Sequence, residues 1–376
     1  MKKSRIHGMD ALRGIAMWLG VVLHAVIAYQ NDPRGGWPKD VMSAASMDWI
    51  YHYLHSFRMP LFFLVAGFFA DFLNEKIGLK AFVLHRYKRI VLPFILSVLV
   101  IVPICGFSFA IYRNIDDLGS SFFWGEVLKG SLNWTGFYHV WFLYYLIIIY
   151  IFYISIKFLI RNFSLPSVKF SEEVFFLLTI FLIAIQYFFF DTVVEPWTGL
   201  IPRPGQILYF GYFFMLGAFI NNRHDFLFQL RNLRYSYLIF GFVLLYITRT
   251  YGDELNHLLF SILISMQTML FVLGHIAIFM DVFNRESKYL RYFSDCSYWF
   301  YLIHFPIIIL LQLFLLKYEV SLYLKVSFII FFTTLFSLIT YHYFIRYSWV
   351  GTLLNGKKTK EKIIKRTLFY SSRNER

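Results

Sequence analysis

Long apolar runs dominate the chain, and short polar segments separate them. A helix needs about 20 apolar residues to cross a hydrocarbon core of about 30 Å. Because the runs are continuously apolar rather than alternating, they predict helices that cross a membrane. The pattern predicts ten spans, of which the sixth and seventh are the shortest: residues 9–29, 46–73, 89–112, 138–160, 173–190, 206–220, 235–250, 256–280, 296–316 and 322–346.

Composition supports the membrane assignment. Of the 376 residues, 59% are hydrophobic and only 15% are charged, whereas about a quarter of the residues in soluble proteins are charged. The predicted fold is therefore all-α, a polytopic integral membrane domain over residues 1–350 followed by a basic tail at 351–376. No cleavage site follows a short apolar core in the first run, so we expect this run to remain in the mature protein.

Lysines and arginines are distributed unequally between the two sides of the predicted membrane. With ten spans, 26 of these 36 residues fall on the side of the N-terminus and eight on the other, while Arg13 and Arg58 lie within spans. This asymmetry follows the positive-inside rule and predicts that both termini are cytoplasmic. The formal net charge of +14 is then explained by inner loops and a tail that face anionic lipids, so no nucleic-acid partner is predicted.

The first span carries two ionisable residues, Arg13 and His24, eleven positions apart. Eleven steps of about 100° return to nearly the same direction, so the two side chains share one helix face, about 16 Å apart along the axis. Asp10 precedes Arg13 by three residues and lies on a similar side. Ionisable residues inside a membrane helix are functional candidates, although a structural polar network between helices is the alternative.

A second polar stripe occurs in the second span. Asp48, His52 and His55 follow the spacing of one helix face, and Arg58 lies one turn further along. The depths of these residues are compatible with His24, His52 and His55 lining one cavity, in which Asp48 would orient a histidine. A polar transport pathway would show a similar pattern.

A basic group, Arg86, Lys88 and Arg89, precedes the third span. The positive-inside rule alone would place basic residues there, but guanidinium groups also bind phosphate through two parallel hydrogen bonds. Arg13 is predicted at the same membrane face, so the group suits a phosphorylated cofactor at the cytoplasmic surface. No Cys/His spacing typical of a metal site occurs, and no metal is predicted.

Five segments along the chain resemble, in order, the motifs of the membrane acyltransferase 3 family. The first contains that family's arginine and, after ten further residues, its histidine, here Arg13 and His24. The resemblance extends over residues 7–346 and is greatest to the branch of the glucan succinyltransferases (glucan biosynthesis protein C). The segments are 9–14 with His24, 55–63 with 66–67, 86–89, 139–143 and 301–306.

The resemblance implies an enzyme that moves an acyl group, acetyl or succinyl, from cytoplasmic acyl-CoA to a hydroxyl of an extracytoplasmic or membrane-linked glycan. It implies that Arg13, Arg86 and Arg89 bind the phosphates of the coenzyme, and that His24 is the catalytic histidine. The expected partners are acyl-CoA, the glycan acceptor and the bilayer of the cell inner membrane. Such a reaction requires a polar passage through the helices, from the arginines to His24.

The expected roles follow from the chemistry of a weakly nucleophilic sugar hydroxyl. His24 would remove the hydroxyl proton as the oxygen attacks the thioester, and a covalent acyl-histidine is the less favoured variant. Asp10, assigned to the catalytic group, would hold Arg13 in place. His55 and Arg58, also in this group, would orient the acceptor or stabilise the tetrahedral oxyanion.

Two further interpretations stay open at this level. His139 and Trp141 suit anchoring at the interface, and His304 suits packing at least as well as chemistry. A non-catalytic transporter of a glycan or acyl carrier is the alternative function. Transporters usually contain inverted repeats, and no second copy of the Arg13/His24 stripe occurs in the later half of the chain.

Overall fold

A computed structural model describes residues 6–33, 36–133, 136–163 and 172–356. These residues are almost entirely helical and contain no strand, in agreement with the all-α prediction. The predicted basic tail lies outside the described residues from position 357 onwards. The α-helices are α1 His7–Val26, α2 Ala45–Ile77, α3 Leu79–Arg86, α4 Leu92–Arg113, α5 Phe123–Leu132, α6 Trp141–Phe163, α7 Glu172–Phe189, α8 Pro204–Ile220, α9 His224–Gln229, α10 Arg234–Thr250, α11 His257–Val282, α12 Lys288–Leu315, α13 Leu322–Thr340 and α14 Trp349–Asn355.

Each of the ten predicted spans coincides with a helix, but the count of ten spans is not confirmed. Within the described ranges, two apolar helices, Glu173–Phe189 and α8, are shorter than a full span, and α10 has 17 residues. The cytoplasmic position of the termini also stays a prediction. The seven segments that are long and apolar enough to cross a membrane are His7–Tyr29, Ala45–Ile77, Leu79–Arg113, Tyr138–Phe163, His257–Val282, Lys288–Leu315 and Leu322–Ile345.

Helix α1 lies inside the bundle, in contact with α2, α11, α12 and α13. The closest helix pair elsewhere is α2 with α8, and its distance is set by two glycines. A Cβ on Gly67 would overlap the main-chain carbonyl of Phe214, and one on Gly217 would overlap that of Leu64. Because neither glycine has a side chain, the two backbones approach directly at these positions, as small residues permit in membrane helices.

Two departures from α-helical geometry lie next to candidate residues. Helix α1 ends two residues after His24 and continues as the 3-10 turn Ile27–Tyr29. The segment joining α3 to α4 is the π-helical turn Tyr87–Val91, which contains Arg89. Such π-helical turns occur frequently at functional sites.

The segment between α1 and α2 is fixed by a buried ion pair. Lys325 on α13 donates to Asp40 at 2.7 Å, and both side chains are fully buried. The Asp40 amide also donates to the carbonyl of Ala28, in the 3-10 turn that follows α1. Removal of either charge would leave the other buried and uncompensated, so the pair holds this segment against the bundle.

Candidate active site

A cavity of about 330 Å³ lies between α1, α2, α4, α6 and α12 and the neighbouring loops. Four histidines and two arginines line it: His24, His55, His139, His304, Arg58 and Arg113. The rest of its wall is largely aromatic and includes loop residues on the side that the charge distribution assigns to the outside. Those loop residues are Gly36, Trp37, Pro196 and Thr198.

His24 lies in a ring of aromatic neighbours within this cavity. Its imidazole is nearly parallel to the indole of Trp37, with ring centres 5.8 Å apart and an interplanar angle of 12°. The ring of His304 lies 5.4 Å away, and the edge of Phe305 approaches at 5.0 Å. The imidazole is therefore confined from several sides.

His304 is held in one orientation by the backbone of its own helix. Its Nδ1 lies 2.9 Å from the carbonyl oxygens of both Phe300 and Tyr301. Because a carbonyl oxygen only accepts hydrogen bonds, Nδ1 carries the proton, and in the neutral ring Nε2 is the acceptor. This Nε2 is buried and makes no hydrogen bond within the described chain.

His139 shows the same arrangement with its two nitrogens exchanged. Its Nε2 lies 3.1 Å from the carbonyl oxygen of Leu302, while Nδ1 is buried and has no hydrogen-bond partner among the described residues. The rings of His139 and His304 are 5.2 Å apart. The sequence favoured anchoring for His139 and packing for His304, and their position on the cavity wall was not predicted. Only the motifs 139–143 and 301–306 pointed to them.

Arg58 brings a positive charge to the cavity without a counter-ion. No carboxylate of the described residues lies within salt-bridge distance of its guanidinium, and its Nε is buried without a hydrogen-bond partner. Gly20 on α1 makes room for it, because a Cβ there would overlap Nη1. An uncompensated charge in a protein interior is costly, so this side chain is a candidate for binding a negatively charged group.

His55 faces a carboxylate, but not the one that its spacing along α2 suggested. Its Nε2 lies 3.4 Å from Oε2 of Glu195, and its ring stacks on Tyr51. Asp48 instead accepts hydrogen bonds from the side chains of Asn31 and Gln30, at 2.7 and 3.4 Å. The expectation that Asp48 orients a histidine was therefore wrong.

His52 does not line the cavity, so that part of the expectation was also wrong. Its ring packs edge-on against Tyr51 at 5.3 Å. The structure places His24, His55 and Arg58 around one cavity and leaves His52 outside it.

Asp10 is separated from these residues. It lies 3.5 Å from the Arg13 guanidinium at the opposite end of α1, about 21 Å along the axis from His24. Arg13 also donates to the Ser294 hydroxyl at 2.8 Å and lies over the ring of Phe69. Asp10 is thus a partner of Arg13, and the structure does not bring it together with the other three predicted catalytic residues.

Arg86 and Arg89 lie at the same end of the bundle as Arg13. Arg86 donates to the Tyr150 hydroxyl at 3.1 Å and lies over Phe82. The carbonyl of Arg89 accepts from Tyr298, one helical turn after Ser294 on α12. Arg13 and Arg89 therefore contact neighbouring turns of the same helix.

In the described part of the chain, the cavity that contains His24 does not reach these arginines. None of Arg13, Arg86 and Arg89 lines the cavity, whose wall reaches Met17, one turn from Arg13. The structure thus contains two separate regions, which we name for the sides that the charge distribution predicts. They are the outer cavity (His24, His55, Arg58, His139 and His304) and the inner arginine cluster (Arg13, Arg86 and Arg89).

Comparison with known proteins gives the family. The protein-family model described as "Acyltransferase domain" matches residues 6–342 of the chain. The chain is 24% identical over 383 residues to "Glucans biosynthesis protein C" of Escherichia coli O139:H28 (strain E24377A / ETEC), with 94% of this chain and 95% of that protein covered. It is 24% identical over 384 residues, with the same coverage, to the protein of that name from Escherichia coli (strain K12). No solved structure gave a significant match. The chain is a multi-pass membrane acyltransferase and belongs to the acyltransferase 3 family.

Proposed function

We propose that the protein transfers an acyl group from cytoplasmic acyl-CoA to a hydroxyl of a glycan at the outer side of the inner membrane. The observation that carries the proposal is the outer cavity itself. It combines a confined imidazole, His24, with an uncompensated guanidinium, Arg58, inside a chain of an acyltransferase family.

The acceptor enters the outer cavity from the side of the loops that contain Trp37 and Pro196. His24 removes the proton of the hydroxyl as its oxygen attacks the acyl carbon. Arg58 stabilises the oxyanion that develops on the carbonyl oxygen. The new carbon–oxygen bond forms, the carbon–sulfur bond breaks, and the proton passes from His24 to the departing thiolate.

The donor phosphates bind at the inner arginine cluster. Arg86 is held by an aromatic face and a tyrosine hydroxyl, which fix the guanidinium without cancelling its charge. A guanidinium group that is fixed and charged in this way binds phosphate through charge-assisted hydrogen bonds. The thioester reaches His24 past Met17, whose flexible side chain at the cavity floor is able to move aside.

The transferred group is acetyl or succinyl, and the acceptor is a glucan. The printed name of the Escherichia coli relatives, "Glucans biosynthesis protein C", supports a glucan. A succinyl group would bring a carboxylate into the outer cavity, where Arg58 has no carboxylate partner among the described residues.

The test is His24→Ala in the purified protein in proteoliposomes, with acetyl-CoA or succinyl-CoA as donor and glucan oligosaccharides as acceptor. Acylated glucan is measured by mass spectrometry, and donor affinity by isothermal titration. We expect transfer to fall by about 10²–10⁴-fold, the usual contribution of a general base, with unchanged donor affinity.

The matched control is His52→Ala, a histidine near His55 on α2 but outside the cavity wall. It should transfer at the wild-type rate. Full activity of His24→Ala would refute the assignment of the base. Absence of transfer by the wild-type protein with both donors would refute the proposed donors.

A further inference from the structure

Gln312 on α12 joins two groups that face each other in the outer cavity. Its side chain is fully buried. Its Nε2 donates to the carbonyl oxygens of His24 at 3.0 Å and Ala25 at 3.2 Å. Its Oε1 accepts from Nε1 of Trp37 at 3.1 Å. One amide thus binds the backbone at the candidate base and the indole that lies parallel to it.

The backbone at His24 needs such a donor. Helix α1 ends at Val26 and tightens into the 3-10 turn Ile27–Tyr29. Carbonyl groups in the last turn of a helix lack regular amide donors. Gln312 donates to two of these carbonyls, so the backbone at His24 is also fixed from α12.

The Trp37 side chain needs its own constraint. The main chain that carries it is held by the Lys325–Asp40 pair and by the hydrogen bond from Asp40 to Ala28. These contacts fix the segment but not the rotamer of Trp37, whose only polar atom bonds to Gln312. With that bond, the indole stays nearly parallel to the imidazole, with Phe109 and Phe305 edge-on to it.

We propose that Gln312 is a positioning residue of the acyl transfer, and this inference rests on the proposed function. It holds Trp37 against His24 and thereby restricts the imidazole and its access to water. Gln312 does not touch the reacting atoms. Its loss should therefore change the turnover rate and the chemical accessibility of His24 but not the binding of the donor at the inner arginine cluster.

The experiment uses Gln312→Met, which keeps the length of the side chain and removes both hydrogen-bonding ends. His24 is modified with diethyl pyrocarbonate in the full-length protein in detergent, and its modification rate is measured by peptide mass spectrometry. We expect the modification rate of His24 to rise about fivefold. Loss of one hydrogen bond increases the population of the open, accessible state by about this factor. In transfer assays kcat should fall by about 10- to 100-fold, as a small misplacement of a catalytic group does, with an unchanged KM for the donor.

The matched control is Gln267→Met on α11. Gln267 is also buried, and its side chain accepts a hydrogen bond of 2.7 Å from the Thr248 hydroxyl. It does not line the cavity. This variant should leave both the His24 modification rate and kcat at wild-type values. Equal effects of the two variants would reduce Gln312 to a general stability role and overturn the inference.

Trp37→Phe provides a second route if Gln312→Met does not fold. It keeps an aromatic ring and removes the N–H group that bonds to Gln312. We expect the modification rate of His24 to rise in the same direction, and an unchanged rate overturns the inference. Because the modification assay needs no acyl donor, it measures how Gln312 confines His24 separately from any failure of the proposed transfer reaction.

Discussion

The outer cavity and the inner arginine cluster hold their guanidinium groups in different ways. In the outer cavity, Arg58 has no carboxylate partner among the described residues and is accommodated by the missing side chain of Gly20. In the inner cluster, Arg86 lies on aromatic rings and donates to a tyrosine, and Arg13 lies on Phe69 beside Asp10. Arg58 and Arg86 are thus fixed without a carboxylate partner among the described residues, whereas Arg13 is paired with Asp10.

Other cations of the bundle form ion pairs with carboxylates, as is typical of a structural role. Lys157 lies 2.7 Å from the buried Asp71, and Arg231 and Arg234 both bind Asp281, at 2.8 and 3.3 Å. These charges are paired directly with carboxylates. The contrast indicates that Arg58 and Arg86 are kept available for an anion. In the outer cavity this anion is a developing negative charge, and in the inner arginine cluster it is phosphate.

The largest expected effect concerns Arg58. Arg58→Met should reduce kcat by about 10²–10³-fold, because an oxyanion donor of a buried site contributes this much. The KM for the donor should stay near the wild-type value, since the phosphates bind elsewhere. Initial rates at saturating and limiting donor concentrations separate the two parameters.

The control for Arg58 is Arg249→Met, which removes an exposed positive charge from the end of α10. It should not change kcat. Gly20→Ala tests the same site without altering the arginine, because the new methyl group would displace Nη1. Wild-type turnover in Arg58→Met would remove Arg58 from the reaction.

The inner arginine cluster should affect donor binding and leave turnover largely intact. In the double variant Arg86→Gln/Arg89→Gln we expect the KM for the donor to rise by at least tenfold, the effect of losing one charge-assisted hydrogen bond. Added salt should weaken donor binding less in this variant than in the wild type, because screening acts on fewer charges. Titration of acyl-CoA at several salt concentrations measures both effects.

Lys76→Gln/Lys80→Gln is the matched control, since it removes two positive charges near the same end of α2 and α3 outside the cluster. It should bind the donor as the wild type does. An equal loss of affinity in both double variants would show that only the general surface charge attracts the donor.

The helices were predictable from the sequence because each apolar run is long and continuous. The number of true spans was not, since α8 and α10 lie near the limit at which length and hydropathy define a span. Spacing along one helix also showed that His24 and His55 lie at compatible depths. This part of the site depends on helix geometry alone.

Contacts between elements were beyond the reach of such patterns. His52 and His55 share a stripe on α2, but only His55 lines the cavity, because its wall is completed by α1, α12 and the loop of Glu195. The positions of His139 and His304 depend in the same way on how α6 and α12 pack. A helical period gives the face of a residue but not the neighbour that this face meets.

Asp10 carries the smallest expected effect and tests the separation of the two regions most directly. In Asp10→Asn the Arg13 guanidinium loses a carboxylate at 3.5 Å. The side chain of Asp10 is 13% exposed and that of Arg13 is 38% exposed. A partly exposed pair contributes at most about 1 kcal/mol, so we expect at most a fivefold change in the KM for the donor. The turnover rate at saturating donor should be that of the wild type, because His24 lies at the other end of α1. A fall in kcat of about 100-fold, the scale of a lost acid–base group, would instead return Asp10 to the catalytic group and join the two regions into one site.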